Sequence, residues 1–244
     1  MISFFTILVK NYNKYYDNIA KNELKKNIKP ISNKNIDHSN EGKLVLINGK
    51  IKYNNEILYD DLFGISAKAP RLLRYVEVYQ WEQHEEINNN GKTVYKYDKV
   101  WSNDIIKSKD FKKKGHSNIT KKNIETKFYT HDTIKIGKFK LSKKQKNNIA
   151  CNVQIRLGSN MSIPIKDFKI YDNFFMNSKD PLNPEIGDYR ISYYYSDWEN
   201  VTILASQHND TFTDYITKKK ERINYINNGK LNKFEIIDLI IPSS

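Results

Sequence analysis

The chain has 244 residues, enough for one large domain or two small ones with a substantial buried core. Hydrophobic residues make up 39% of the sequence and aromatic residues 13%, which excludes a chain that is disordered throughout. The formal net charge of +13 is typical of proteins that bind nucleic acid or an anionic membrane surface.

The type of basic residue argues against sequence-specific nucleic-acid binding. Nearly all of the 41 basic residues are lysine, and lysine does not reproduce the planar, bidentate contact that arginine makes with guanine or phosphate. We therefore expect no specific nucleic-acid partner, and a basic lipid- or nucleic-acid-binding module is kept as an alternative function. The runs Lys112–Lys114, Lys121–Lys122 and Lys218–Lys220 are interpreted as solvated loops, with attraction to an anionic lipid surface as a secondary hypothesis.

The amino terminus is predicted to be helical. Apolar and tyrosine side chains recur at helical spacing from Phe4 to Lys26, and the helix should end before Pro30. Its first part, Ile2 to Val9, is apolar but too short to span a bilayer. Asn27 to Asn40 is interpreted as a polar linker.

After Gly42 the pattern alternates as in β-strands. Lys43 to Tyr53 predicts one strand, or a hairpin that turns near Asn48-Gly49. Leu73 to Glu85 predicts a long strand whose two faces differ. Tyr75, Glu77, Tyr79 and Trp81 are expected on one face, with Arg74, Val76, Val78 and Gln80 on the other. The Asn88–Gly91 run predicts a tight turn, after which Thr93–Trp101 returns as the partner strand.

The second half of the chain predicts further strands and two short helices. Lys107–Lys127 is interpreted as a surface loop, and Ser142 and Asn232 are expected to cap helices that run to Ile149 and Leu239. The predicted strands are Ile134–Leu141, Val153–Leu157, Phe168–Phe175, Tyr189–Tyr195, Val201–Ser206 and Thr211–Ile216. The fold class is therefore α+β: a β-dominated mixed domain with antiparallel hairpins, an N-terminal helix and short peripheral helices.

No catalytic motif is present in the sequence. The histidines form no metal motif, and Gln83–Glu86 lies on a predicted strand, where neighbouring side chains point to opposite faces. A nucleophile elbow, a phosphate loop and a dinucleotide fingerprint are also missing. We expect no enzyme, cofactor or metal. The alternative left open is an enzyme whose site combines distant residues such as His116, His131 and Asp188.

Cys151 is the only cysteine, so neither an intrachain disulfide nor a thiolate metal cage can form. The basic segment before it would lower the pKa of its thiol, although a small buried residue is the preferred interpretation. The sequence also contains four Asn-x-Ser/Thr triplets. They fit a luminal domain but arise easily by chance in an asparagine-rich chain, at Asn118, Asn160, Asn200 and Asn209.

Several segments together resemble the transmembrane protein 43 (LUMA) family. The resemblance rests on Val76-Glu77-Val78-Tyr79-Gln80-Trp81 and on the turn and strand from Asn183 to Tyr193. It extends over residues 40 to 240. The supporting blocks are Asn40–Val45, Tyr95–Tyr97, Trp101, Ile105–Phe111, Gly115-His116, Asn118 and Ile136–Ser142.

The resemblance implies a hydrophilic domain on the luminal side of the endoplasmic reticulum and nuclear envelope. In the family this domain lies between a first membrane helix and a C-terminal group of three, and members self-associate and organise nuclear-membrane proteins without known catalysis. Residues 1–39 are then a membrane-proximal helix and linker, and residues 40–244 the luminal domain. Because the first helix is reduced to Ile2–Val9 and none follows Ser244, we expect a soluble fragment or a lineage without its anchors.

The family-motif residues are expected to act in structure or in partner contact. Tyr79 and Trp81 should pack one sheet face, and Gly187 should permit a tight turn. Asp188 and Arg190 lie two apart on a strand and are expected to form a local ion pair or a partner contact. The complete set is Glu77, Tyr79, Gln80, Trp81, Trp101, Gly137, Pro184, Gly187, Asp188 and Arg190.

Overall fold

A computed structural model of the protein describes residues 20–54, 56–158 and 161–241. The chain forms two compact units, each made of separated segments. Unit 1 contains the described residues of segments 1–55, 131–150 and 198–244, and unit 2 those of segments 56–130 and 151–197. The composition did not predict this division, because each unit is assembled from segments that alternate along the chain.

The structure contains eighteen strands and three α-helices in the described residues. In unit 1 these are α1 (20–27), β1 (Lys29–Ile31), β2 (Leu44–Tyr53), β8 (Ile134–Ile136), β9 (Phe139–Lys140), α2 (Lys143–Asn147), β14 (Asn200–His208), β15 (Thr211–Thr213), β16 (Tyr215–Ile216), β17 (Arg222–Ile223), β18 (Tyr225–Asn228) and α3 (Lys233–Ile240). In unit 2 they are β3 (Leu58–Asp60), β4 (Ile65–Ala67), β5 (Arg71–Ile87), β6 (Thr93–Ser102), β7 (Lys127–Thr130), β10 (Val153–Gln154), β11 (Lys169–Tyr171), β12 (Phe174–Met176) and β13 (Tyr189–Tyr195). The β-dominated α+β class is therefore observed, with mostly antiparallel pairing.

Unit 1 is built on a sheet of order β15-β14-β2-β8-β9. β2 is one continuous strand, because Asn48 and Gly49 pair in register with Thr202 and Val201 of β14; the hairpin alternative is wrong. One face of β2 buries Val45 and Ile51 in an apolar cluster with β8 and β14. The other face packs against α1 and α3.

The predicted polar linker contains regular structure. β1 pairs in parallel with β2, and His38–Asn40 forms a 3₁₀ turn whose preceding Asp37 accepts a hydrogen bond from the Ser39 N–H. Ile31 and Ile36 supply the apolar contacts that hold this segment on the sheet. Residues 20–27 are helical as expected, and the rest of the predicted N-terminal helix lies outside the described residues.

Unit 2 is built on a sheet of order β11-β12-β13-β5-β6. The long predicted strand is observed as β5 and its hairpin partner as β6, while β13 has the predicted bounds. β5 alternates along its first half, with Val76 and Val78 buried and Tyr75 and Tyr79 half-exposed. The even-numbered face of β5 is therefore the core face.

Two predicted strands are hairpins instead. Ile134–Leu141 folds as β8 and β9 around Gly137, which has φ +55°, and Phe168–Phe175 folds as β11 and β12 around Asp172, which has φ +53°. Gly and Asp are among the residues that adopt this left-handed conformation most readily. The predicted caps are observed, since the side chains of Ser142 and Asn232 both form capping boxes.

A buried ion pair lies at the centre of unit 2. Asp60, at the end of β3, is 0% exposed and accepts two hydrogen bonds from Nη1 of Arg74, at 2.9 and 2.8 Å. The Tyr193 hydroxyl donates to the same carboxylate at 2.7 Å, and Arg74 Nε donates to the Glu125 carbonyl at 3.1 Å. Burial, followed by the bond to Asp60, raises the pKa of Tyr193 above its ordinary value.

This pair predicts the largest single-residue stability effects in unit 2. Asp60→Asn leaves the Arg74 charge buried without its partner, so we expect a loss of about 3–5 kcal/mol in the free energy of unfolding. Tyr193→Phe removes one hydrogen bond to a buried carboxylate and should cost about 1.5–3 kcal/mol.

Urea unfolding followed by tryptophan fluorescence measures both losses, because Trp81 and Trp101 lie in unit 2. Tyr59→Phe is the matched control, since Tyr59 is adjacent to Asp60 but 56% exposed. An Asp60→Asn protein that unfolds at the wild-type urea concentration would contradict the assignment.

Candidate functional site

Five of the family-motif residues converge on the half-exposed face of the unit 2 sheet. In the strand register Glu77 is opposite Arg190 and Tyr79 is opposite Trp101, with Trp81 two residues further along β5. Glu77 and Arg190 are 113 residues apart in the chain. We call this set of five residues the Arg190 surface.

Arg190 is held rigidly within this surface. Its Nε and Nη2 donate to the two carboxylate oxygens of Glu77 at 2.7 and 2.9 Å, a bidentate arrangement that fixes the guanidinium plane. The guanidinium carbon also lies 4.9 Å from the Trp101 ring centre and 5.1 Å from that of Phe174. Contacts of this kind are cation–π interactions.

The expected ion pair between Asp188 and Arg190 is wrong. The Asp188 carboxylate instead accepts from the Glu185 N–H at 2.8 Å and closes the turn before β13. The reason is geometric: side chains directly opposite on neighbouring strands are about 5 Å apart, closer than residues two apart on one strand. Glu77 is therefore better placed to reach Arg190.

Aromatic rings extend the surface along β5 and β6. The Tyr79 and Trp101 ring centres are 5.0 Å apart, and the Lys99 ammonium lies 5.0 Å from the Trp81 ring centre. His116 meets the Trp81 ring edge-on at 4.7 Å and stacks on Tyr97 at 3.8 Å. The predicted surface loop that carries His116 thus folds back onto the sheet.

The turn before β13 is anchored to β5 by its backbone. Gly187 has φ +99° and donates its N–H to the Tyr79 carbonyl at 2.9 Å, while the Tyr79 N–H donates to the Asp188 carbonyl at 2.8 Å. A side chain at residue 187 would also approach Ile119 at 3.3 Å. The structure confirms the turn conformation predicted for Gly187, with Pro184 half-buried just before it.

Gln80 and Asn118 hold the loop after β6. Gln80 is fully buried on the opposite face of β5, where its amide donates to the Asp104 carbonyl and accepts from the Ile106 N–H. The Asn118 amide bonds both the N–H and the carbonyl of Trp81. Because these bonds occupy the Asn118 amide, a glycan there is incompatible with the native contacts. Asn209 is exposed in a turn, and Asn160 lies outside the described residues.

Gly137 is in unit 1 and has a structural role. Its φ of +55° and the Asn33 carbonyl oxygen, which occupies the space that a Cβ would need, leave no room for a side chain. The next residue, Lys138, donates its N–H to that carbonyl at 2.9 Å. The hairpin turn therefore fastens the segment after β1.

The three residues considered for an enzyme site, His116, His131 and Asp188, are divided between the two units. His131 belongs to unit 1 and stacks on Tyr53 with ring centres 4.7 Å apart, whereas His116 and Asp188 belong to unit 2. No group of three or more His, Cys, Asp or Glu side chains in the described residues is arranged to hold a metal ion. Burial raises the pKa of Cys151 to about 11, so the lowered pKa considered from the sequence is wrong.

Comparison with known proteins identifies the family. The model of the family described as Transmembrane protein 43 matches residues 78–241, more than half of the chain. The chain belongs to the transmembrane protein 43 family. Human Transmembrane protein 43 is 29% identical over 227 residues, covering 86% of this chain and 56% of the relative. The Drosophila melanogaster homolog is 25% identical over 211 residues, covering 82% of this chain and 55% of the relative.

The chain spans about half the length of the curated transmembrane protein 43 relatives that it matches. No solved structure is a significant match. In the described residues, no helix has the length and apolar character needed to cross a membrane. The family match covers all of the Arg190 surface except Glu77, which lies one residue before it.

The Arg190 surface predicts a measurable coupling between two side chains. A double-mutant cycle of Glu77→Ala and Arg190→Ala should give a coupling of about 1–2 kcal/mol in the free energy of unfolding, because both residues are largely buried and bidentate. Arg190→Lys should lose most of it, because lysine lacks the planar fork.

The control cycle combines Asp188→Ala with Arg190→Ala. Asp188 carries the same charge as Glu77 and lies two residues before Arg190, but it bonds the Glu185 backbone. Its coupling to Arg190 should therefore be close to zero. Equal coupling in the two cycles would show that general charge attraction, rather than the bidentate contact, holds Arg190.

Proposed function

We propose that this chain forms a non-enzymatic scaffold domain of a membrane protein of the endoplasmic reticulum and nuclear envelope. In this proposal the domain lies on the luminal side and contributes to nuclear membrane organisation through self-association and contacts with envelope proteins. The observation that carries the proposal is the convergence of motif residues on the Arg190 surface. Membership of the transmembrane protein 43 family supports the part of the proposal that concerns a membrane protein.

The chemistry of the Arg190 surface suits contact with another protein. Tryptophan, tyrosine and arginine are the residue types that most often dominate the binding energy of protein interfaces. Here they are partly exposed, the Arg190 side chain to 28%, and already ordered, since Glu77 and Trp101 hold the Arg190 side chain. A surface that is ordered in advance loses less side-chain entropy on binding.

Self-association through this surface is testable in purified protein. Trp81→Ala removes a large, partly exposed ring. It should raise the dissociation constant of the self-associated form about tenfold or more, as substitutions at interface hot spots do. Sedimentation equilibrium over a range of concentrations measures the change.

Tyr59→Ala is the matched control, because Tyr59 is an exposed aromatic residue of the same unit outside the surface. Thermal unfolding of each variant separates a lost contact from a lost fold. A wild-type protein that stays monomeric at every concentration would overturn self-association, and equal weakening by both variants would overturn the role of the Arg190 surface.

The luminal placement is testable in cells. Protease protection of the endogenously tagged gene product should show a membrane-pelleting protein that is digested only after detergent is added. Its size should be read on the same gel. Digestion in intact membranes, or recovery in the soluble fraction, would contradict the luminal assignment while leaving the self-association experiment valid.

A further inference from the structure

The positive charge of the chain is concentrated in unit 1. Among the described residues, unit 1 has 20 basic and 10 acidic residues, a net charge of +10, whereas unit 2 has 19 and 17, a net charge of +2. The segment from His131 to Ala150 alone has six lysines and one acidic residue. The charge is therefore a property of one unit, and its arrangement there indicates what it binds.

Three lysines lie side by side across neighbouring strands of unit 1. Lys52 of β2 is directly opposite Lys135 of β8, and Lys135 is directly opposite Lys140 of β9. All three are exposed, and side chains so paired are about 5 Å apart at Cβ. We call this row the lysine ladder. Lys50, two residues before Lys52, is exposed on the same face of β2.

The ladder is only partly neutralised. Lys140 pairs with Asp210 at 2.8 Å, and Lys50 lies 3.7 Å from Glu199. Within the described residues, Lys52 and Lys135 have no acidic side chain within ion-pair distance. Like charges directly opposite on a sheet oppose folding, so this arrangement does not serve stability.

An apolar group occurs on the same side of the sheet. Leu44 and Leu46, which share the face of Lys50 and Lys52 on β2, pack against Ile236 and Ile237 of α3. The helix that covers this face carries Phe234, whose side chain is 63% exposed. Basic and apolar groups on one side of a domain are the combination that binds a membrane surface.

We propose that the lysine ladder binds the phosphate groups of an anionic phospholipid surface. This deepens the proposed function, on which it rests for the presence of a membrane beside the chain. Lysine ammonium groups act as point charges that attract a lipid surface without needing a defined acceptor geometry. An anionic surface would also relieve the repulsion between Lys52 and Lys135.

Vesicle co-sedimentation of the full chain tests the proposal. The protein should pellet with phosphatidylcholine vesicles that contain about 30% phosphatidylserine and not with phosphatidylcholine alone, since the attraction needs anionic lipid. The double variant Lys52→Gln/Lys135→Gln should reduce the partition coefficient about thirtyfold, because each lysine near the surface contributes about 1 kcal/mol of attraction. Raising the salt to about 0.5 M should weaken wild-type binding strongly.

The matched control is Lys112→Gln/Lys113→Gln, which removes the same charge from a loop of unit 2. It should reduce binding far less. The ladder variant should keep or raise the melting temperature, because the opposed charges are gone. That result separates lost binding from lost folding.

Equal losses in the two variants, or binding to neutral vesicles, would overturn the ladder as the lipid site. Binding of single-stranded RNA with no vesicle binding would overturn the choice of partner. The vesicles carry no other protein, so a negative result leaves self-association through the Arg190 surface untouched. Loss of self-association in Trp81→Ala would equally leave vesicle binding by the ladder intact.

Discussion

The buried contact between Asp60 and Arg74 is the constraint on which unit 2 depends. Arg74 is on β5 and directly opposite Tyr193 of β13, and both side chains reach the Asp60 carboxylate. Three residues further along β5, on the other face, the same register places Glu77 opposite Arg190. A slip of one residue would reverse the faces of one strand and break both pairs at once. The buried charge therefore fixes the exposed surface.

The division of charge between the units changes how the composition should be interpreted. A net charge of +13 over the whole chain suggested a basic protein, but unit 2 is close to neutral. Arg74 and Arg190 in unit 2 both make defined pairs with carboxylates, whereas the excess in unit 1 is almost entirely lysine. The scarcity of arginine thus argues against sequence-specific nucleic-acid binding. The excess lysine of unit 1 includes the row Lys52, Lys135 and Lys140 on neighbouring strands.

Local signals were predictable from the sequence, and distant contacts were not. The β5–β6 hairpin, β13 and the Ser142 cap follow from turn residues and alternation within a few positions. The β8–β9 turn was missed because the residues on both sides of Gly137 have a strand-like pattern and were interpreted as one strand. Gly137 itself was the available signal for the turn. Asp60 bonds Arg74 and Tyr193, 14 and 133 residues away, and Arg190 bonds Glu77, 113 residues away. No spacing rule selects these partners. Thus the motif residues could be named, but the bond of Arg190 to Glu77 rather than Asp188 required the fold.

The Arg190 surface and the lysine ladder suit different partners, because the charge of the first is neutralised within the chain and that of the second is only partly so. Glu77 neutralises Arg190 before any partner arrives, so this surface offers ordered aromatic rings and little net charge. A protein surface that binds there needs matching shape more than opposite charge. Lys52 and Lys135 are directly opposite each other and have no ion pair among the described residues, although Lys135 attracts the Asp210 carboxylate. An anion that approaches them would therefore reduce their repulsion. Under the proposed function, aromatic contact and anionic attraction would belong to separate units, and a scaffold with both would hold a protein and a membrane independently.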